Sequence, residues 1–198
     1  FAREGSADHL DLEDTIRCTA RNAGMLDIKM VPERRNAVKV LIFFDVGGSM
    51  DPYVKLCEEL FSAAKTEFKH LEYFYFHNCL YDYVWKDNHR RREEQLSTHD
   101  LIHKYAADYK VIFVGDASMA PYEVTSPGGS VEYNNEESGA IWMQRMAQTY
   151  DKLVWLNPVQ EKYWDYTPSI TMLKELTEDK MFPLTLGGLE KAMALLSR

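Results

Sequence analysis

Three apolar runs constrain this chain more than any other feature of it. Residues 38–45 (VKVLIFFD), 110–116 (KVIFVGD) and 152–158 (KLVWLNP) are apolar at nearly every position, not at alternate ones. A strand with one wet face alternates, whereas a strand covered on both faces does not. Segments with apolar residues at helical spacing separate the runs, and alternating strands and helices build βαβ units with right-handed crossovers. The expected fold class is therefore α/β, a Rossmann-like doubly wound, mainly parallel sheet of about six strands.

Two of the runs stop abruptly on aspartates, Asp45 and Asp116. After Asp45, Gly47-Gly48 supply a turn, Asp51 is a candidate cap and Pro52 suits the first helical position. The helix that follows is expected to carry Val54, Cys57, Leu60, Phe61, Ala64 and Phe68 on one face. In open parallel sheets ligands bind beyond the carboxyl ends of the strands, where the strand order reverses. A second helix, expected from Ser97-Thr98 to about residue 107, feeds the run that ends at Asp116 and so starts at the same edge. Asp45, Ser49, Thr98 and Asp116 are thus candidates to converge.

The remaining text is read more coarsely. Residues 10–23 have helical spacing and Gly24 lies just past their end; residues 26–30 alternate like an arm, and Pro32 with the charged residues after it marks a boundary. We expect residues 1–35 to be an N-terminal helix and arm, the end of an upstream region, and residues 36–198 to be the α/β domain. Residues 71–78 (LEYFYFHN) and 80–87 (LYDYVWKD) are aromatic-rich and close enough to form a tight hairpin. Residues 87–96 read as a loop, and 117–138 as a long loop of the kind that is often functional. Helices are expected over 139–150, 168–179 and 188–197, with a short strand, 181–184 (MFPL), between the last two.

Charge and cysteine usage narrow the function classes. A formal net charge of -8 disfavours a general binder of phosphate backbones, and the basic runs Arg34-Arg35 and Arg90-Arg91-Arg92 are short. The cysteines, Cys18, Cys57 and Cys79, are sparse and odd in number, which implies no disulfide framework. No run approaches the roughly 20 apolar residues that span a bilayer. The expected setting is soluble and cytoplasmic, with no nucleic-acid or membrane partner.

Two carboxylates and two hydroxyls are hard oxygen donors, suited to Mg²⁺ or Mn²⁺ rather than zinc or copper. At this point a resemblance becomes specific. FFDVGGSM, residues 43–50, resembles the metal-ion-dependent adhesion site of von Willebrand factor A (VWA) domains, whose pattern is Asp-x-Ser-x-Ser at the end of the first strand. Asp45 and Ser49 match its first and last positions, and Thr98 and Asp116 stand where the family takes a later Thr and an Asp. The order of elements agrees across roughly 38–197. Within the superfamily, residues 10–24 (LDLEDTIRCTARNAG), the segment 33–35 (ERR) before the first strand and VWLNP at 154–158 resemble the bacterial CoxE-like branch. That resemblance implies a non-enzymatic protein-interaction domain. Its expected partner is a MoxR-type AAA+ ATPase or that ATPase's client, in the maturation or assembly of other proteins. The chain departs from the pattern at Gly47, which replaces the middle serine, so metal affinity is expected to be weak.

The alternative from another class is a serine hydrolase, because Gly47-Gly48-Ser49-Met50-Asp51 nearly matches Gly-x-Ser-x-Gly on a strand–turn–helix. The last glycine is missing and the last histidine is His103, so none lies downstream where that fold needs one. A zinc set built from His77, Cys79, His99 and His103 fits no known ligand spacing, and no phosphate-binding glycine pattern occurs.

Overall fold

Successive residues of a strand point to opposite faces of its sheet, and here both sets are buried. The structure is a computed structural model that describes residues 8–10, 30–32 and 36–197. The chain divides into two compact units, 1–36 and 37–198. In the first, β1 (Asp8–Leu10) pairs antiparallel with β2 (Met30–Pro32). Leu10 thus belongs to a strand, and the rest of the helix expected over 10–23 lies outside the described residues.

The second unit is built on a seven-stranded sheet. In chain order its elements are β3 (Asn36–Asp45), α1 (Val54–Glu67), β4 (Phe68–Phe76), β5 (Tyr83–Trp85), β6 (Gln95–Ser97), α2 (Thr98–Lys104) and β7 (Lys110–Val114). Then follow α3 (Pro121–Thr125), α4 (Gly139–Thr149), β8 (Leu153–Asn157), α5 (Pro168–Leu176), β9 (Met181–Pro183) and α6 (Leu186–Leu196). The strand order is β6-β5-β4-β3-β7-β8-β9. Strands β3, β7, β8 and β9 pair in parallel, and β4, β5 and β6 pair antiparallel.

The three apolar runs are the central strands β3, β7 and β8, and their continuity has a simple cause. Leu41, Phe43, Val111, Phe113, Leu153 and Trp155 join one core cluster with Leu101 of α2, Met143 of α4 and Leu173 of α5. Their neighbours Ile42, Phe44, Ile112, Val114, Val154 and Leu156 join another, against Leu60 and Phe61 of α1 and Ala192 of α6. Helices therefore cover both faces, as a doubly wound sheet requires.

Several local expectations are corrected. The hairpin is not tight: β4 and β5 meet at Tyr75 and Trp85, and residues 77–82 connect them through a bridge between His77 and Cys79. Asn78 at its tip has φ 59°, a left-handed conformation that asparagine tolerates. Residues 95–97, read as the end of a loop and the start of a helix, form edge strand β6; its outer position leaves Leu96 exposed, so the apolar signal is weak. A 3-10 turn, Gly48–Tyr53, precedes α1 and holds Pro52 inside it, so Asp51 does not cap α1. Val54 is half exposed and Phe68 opens β4, so neither belongs to the buried face of α1. The 117–138 segment contains α3.

Candidate functional site

The strand order reverses between β3 and β7, since β4 lies on one side of β3 and β8 on the far side of β7. That is the switch point at which a crevice opens beyond the carboxyl ends. Asp45 ends β3 there and is 5% exposed. Its Oδ1 accepts the backbone N–H of Gly47 at 2.8 Å and of Asn78 at 2.9 Å. Its Oδ2 is buried and has no hydrogen-bond partner. A Cβ on Gly115 would stand 2.9 Å from Asp45 Cβ and 3.2 Å from Oδ2, so this close approach of β3 and β7 needs glycine. Burial pushes the Asp45 carboxyl up to about 7; the two N–H donors oppose the shift, and the charges of Asp116 and Glu123 add to it.

Asp116 is positioned by the neighbouring strand. The Trp155 indole N–H donates to the Gly115 carbonyl at 2.8 Å, and the Asn157 side chain donates to the Asp116 carbonyl at 2.9 Å. Ala117, at φ 56°, turns the chain away, and its carbonyl accepts the Ser169 hydroxyl at 2.7 Å. Asp116 Oδ1 accepts Ser118 N–H at 2.9 Å. Ser49, arriving on the 3-10 turn, lies near enough to the Asp116 carboxylate to favour its charged form. Burial raises the Asp116 pKa, against the contacts from Ser118 and Ser49. Trp155 and Asn157 were legible only as part of VWLNP; the physical signal was a buried asparagine in an apolar strand, which must find partners.

Gly47 and Asn78 share one small space. A Cβ on Gly47 would lie 2.3 Å from Asn78 Oδ1, closer than any real contact. The Asn78 amide Nδ2 donates to Glu123 Oε2 at 2.7 Å, and Glu123 Oε1 accepts Ala120 N–H at 3.0 Å at the start of α3. The Tyr81 hydroxyl donates to the Glu123 carbonyl at 2.9 Å. Sequence reasoning missed Asn78 and Glu123, because no spacing rule links them across 45 residues.

Thr98 lies at the same edge but farther out. Val46 N–H bonds to the Phe76 carbonyl, Tyr75 pairs with Trp85, and Tyr83 pairs with Ser97, so the end of β6 stands level with the end of β3 with β4 and β5 between. Thr98 is fully buried, and its hydroxyl donates to the Tyr81 carbonyl at 2.6 Å. Ser97, not Thr98, caps α2 by accepting Asp100 N–H at 3.2 Å. The structure thus brings Asp45, Ser49 and Asp116 together and ties Thr98 to the loop that carries Asn78.

Beside Asp45 a cavity of about 270 Å³, lined also by Gly47, Met50, Cys57 and Phe61, opens toward α1. Among the described residues no three His, Cys, Asp or Glu side chains gather into a metal group. His99 and His103 stack on each other at 4.2 Å, while His77 faces Glu132 at 3.6 Å. The donors around Asp45 are instead two carboxylates and a hydroxyl, which suit a small hard cation. The side chain that Ser49 acts on is a carboxylate, Asp116, whereas an activated hydrolase serine is paired with a general base such as histidine. No helix among the described residues is long and apolar enough to cross a membrane.

Comparison with known proteins agrees with this architecture. No curated protein matches the chain. The family described as VWA domain containing CoxE-like protein matches residues 1–100, a span that includes Asp45, Ser49 and Thr98 and stops before Asp116. With half of the chain matched and the sheet wound as a VWA sheet is, the chain belongs to the VWA domain-containing CoxE-like proteins.

Proposed function

We propose that this VWA domain is an adaptor that docks a partner protein through a divalent cation, Mg²⁺ or Mn²⁺, at the carboxyl ends of β3 and β7. Asp45, Ser49 and Asp116 would hold the ion, and Thr98 would act from behind, through the loop it anchors. The observation that carries the reading is Asp45 Oδ2, a buried carboxylate oxygen with no hydrogen-bond partner and with like charges nearby. Such an oxygen is costly to keep ionised unless a cation balances it. An ion with few protein ligands keeps positions for water or for a partner's carboxylate. Gly47 in place of a serine is consistent with weak affinity.

The resemblance to the CoxE-like branch supports a MoxR-type AAA+ ATPase, or its client, as the partner. Tyr122 and Val131, both exposed in the 117–138 segment beside the site, would add contact area. Two measurements test the reading. An ion that binds only the folded state at ten times its Kd adds about 1.4 kcal/mol, so Mn²⁺ should raise the melting temperature of the parent and not of Asp45→Ala. In Mg²⁺ a purified MoxR-type ATPase should retain the parent, and both chelator and Asp116→Ala should release it. Equal retention under all of these conditions sinks cation-mediated docking.

A further inference from the structure

Gly47 looks like a lost ligand, since the adhesion-site pattern carries a serine there. The space that serine would occupy is filled. Asn78 Oδ1 sits 2.3 Å from where a Cβ on Gly47 would be, so a serine at 47 would force the Asn78 carboxamide to turn out of this position. Glycine at 47 is thus the condition for Asn78 to reach the site.

The orientation of the carboxamide is set by its partner. Glu123 is 6% exposed and its carboxylate accepts hydrogen bonds, so the Asn78 end that meets it at 2.7 Å is the NH₂. The oxygen therefore faces Gly47 and Asp45. Asn78 is also bound through its backbone, whose N–H donates to Asp45 Oδ1 at 2.9 Å, and its φ of 59° favours asparagine, aspartate or glycine. Glu123 is itself fixed by Ala120 N–H. The arrangement places a neutral, hard oxygen in the space beside Gly47 that Asp45 Oδ1 also borders, next to a carboxylate whose second oxygen has no partner.

We propose that Asn78, held by Glu123, supplies through Oδ1 the oxygen donor that the pattern assigns to the middle serine. A divalent cation at Asp45, Ser49 and Asp116 then takes a ligand from the β4–β5 loop in place of one from the turn after β3. A carboxamide for a hydroxyl keeps the charge of the site unchanged, and side-chain carbonyls are ordinary ligands of hard cations. This inference rests on the cation-binding reading above, and its test separates the two.

Mn²⁺ binding to the folded protein is measured by the loss of the free-ion paramagnetic resonance signal, with melting in chelator as the check on folding. Asn78→Gly removes the carboxamide while allowing the left-handed backbone. Its Mn²⁺ affinity should fall by at least about 10-fold, since losing even a ligand's supporting contact costs about 10–100-fold. Gly47→Ser in the same chain, Gly47→Ser/Asn78→Gly, places a hydroxyl in the space vacated and should recover most of that loss. Gly47→Ser alone sets the two side chains against each other and should bind worse than the double variant. Parent and Asn78→Gly binding Mn²⁺ equally overturns the role of Asn78 and leaves the cation reading standing. A folded parent that binds no Mn²⁺ overturns both.

Discussion

Two layers of the molecule, stacked on the same strands, obey opposite rules. Below the site a row of rings crosses four strands: Phe74 to Phe43 at 5.5 Å, Phe43 to Phe113 at 4.8 Å and Phe113 to Trp155 at 5.3 Å. These rings are almost wholly buried and tightly packed, and the indole N–H has its acceptor. Immediately beyond the strand ends lies the polar layer, where Asp45 holds an unpartnered carboxylate oxygen and burial works against its charge. The comparison teaches that the packed layer stabilises the fold while holding a layer above it in a state the chain alone does not favour.

The comparison breaks first at Trp155. Trp155→Ala should cost about 3–5 kcal/mol, as large core aromatics do, and should also free the Gly115 carbonyl that sets Asp116. Calorimetry should show the lower melting temperature and the disappearance of any Mn²⁺-induced rise. A variant that melts like the parent would mean the aromatic row does not hold the polar layer.

Asp45→Asn sharpens the contrast in the other direction. Asp45 keeps its proton up to about pH 7 when folded but only to the ordinary carboxylate range when unfolded. The folded state therefore binds the extra proton between those values, and in chelator stability should be highest below about pH 4 and fall as pH rises to about 7. Asparagine has no proton to lose. The variant should be flatter in pH, more stable than the parent above pH 7 because no buried charge remains to be desolvated, and blind to Mn²⁺. Melting curves from pH 4 to 8 decide it; a variant no more stable than the parent at pH 8 shows that the ionised carboxylate is not strained.

The smallest effect is expected at Ser97→Ala, which removes the cap of α2 and should cost about 1 kcal/mol. Because the cap and the Thr98 hydroxyl bond are separate, Mn²⁺ affinity should stay as in the parent. A matching loss of affinity would place the α2 terminus inside the polar layer.

The central sheet was readable because strands covered on both faces leave an unbroken apolar text, and because that text stops on Asp45 and Asp116. Of the outer strands, β5 was read as strand but over too long a span, 80–87, and β6 was not read as strand. Tyr83–Trp85 and Gln95–Ser97 are three residues each, too short for a period, and one lies at a partly wet edge. Ser49 was legible by its distance from Asp45 along a turn. Thr98 was placed at the correct edge, yet its hydroxyl partner, the Tyr81 carbonyl, belongs to a connection that had been read as strand. Asn78 was invisible for a different reason: its position depends on a left-handed backbone and on Glu123 from α3, and neither leaves a periodic trace.

One consequence concerns how the chain reaches this state. β3 and β7 pair Val40 with Lys110, a separation of 110 − 40 = 70 residues, larger than that between β7 and β8 (Val111 with Leu153) or β8 and β9 (Trp155 with Met181). Closing so long a segment costs entropy before any contact repays it, and contacts of this kind form slowly. Asp45 and Asp116 become neighbours only when that closure is complete. Whatever settles between them clasps the two ends of the most distant pairing in the sheet, so it should act on the lifetime of the folded chain more than on the speed with which it folds.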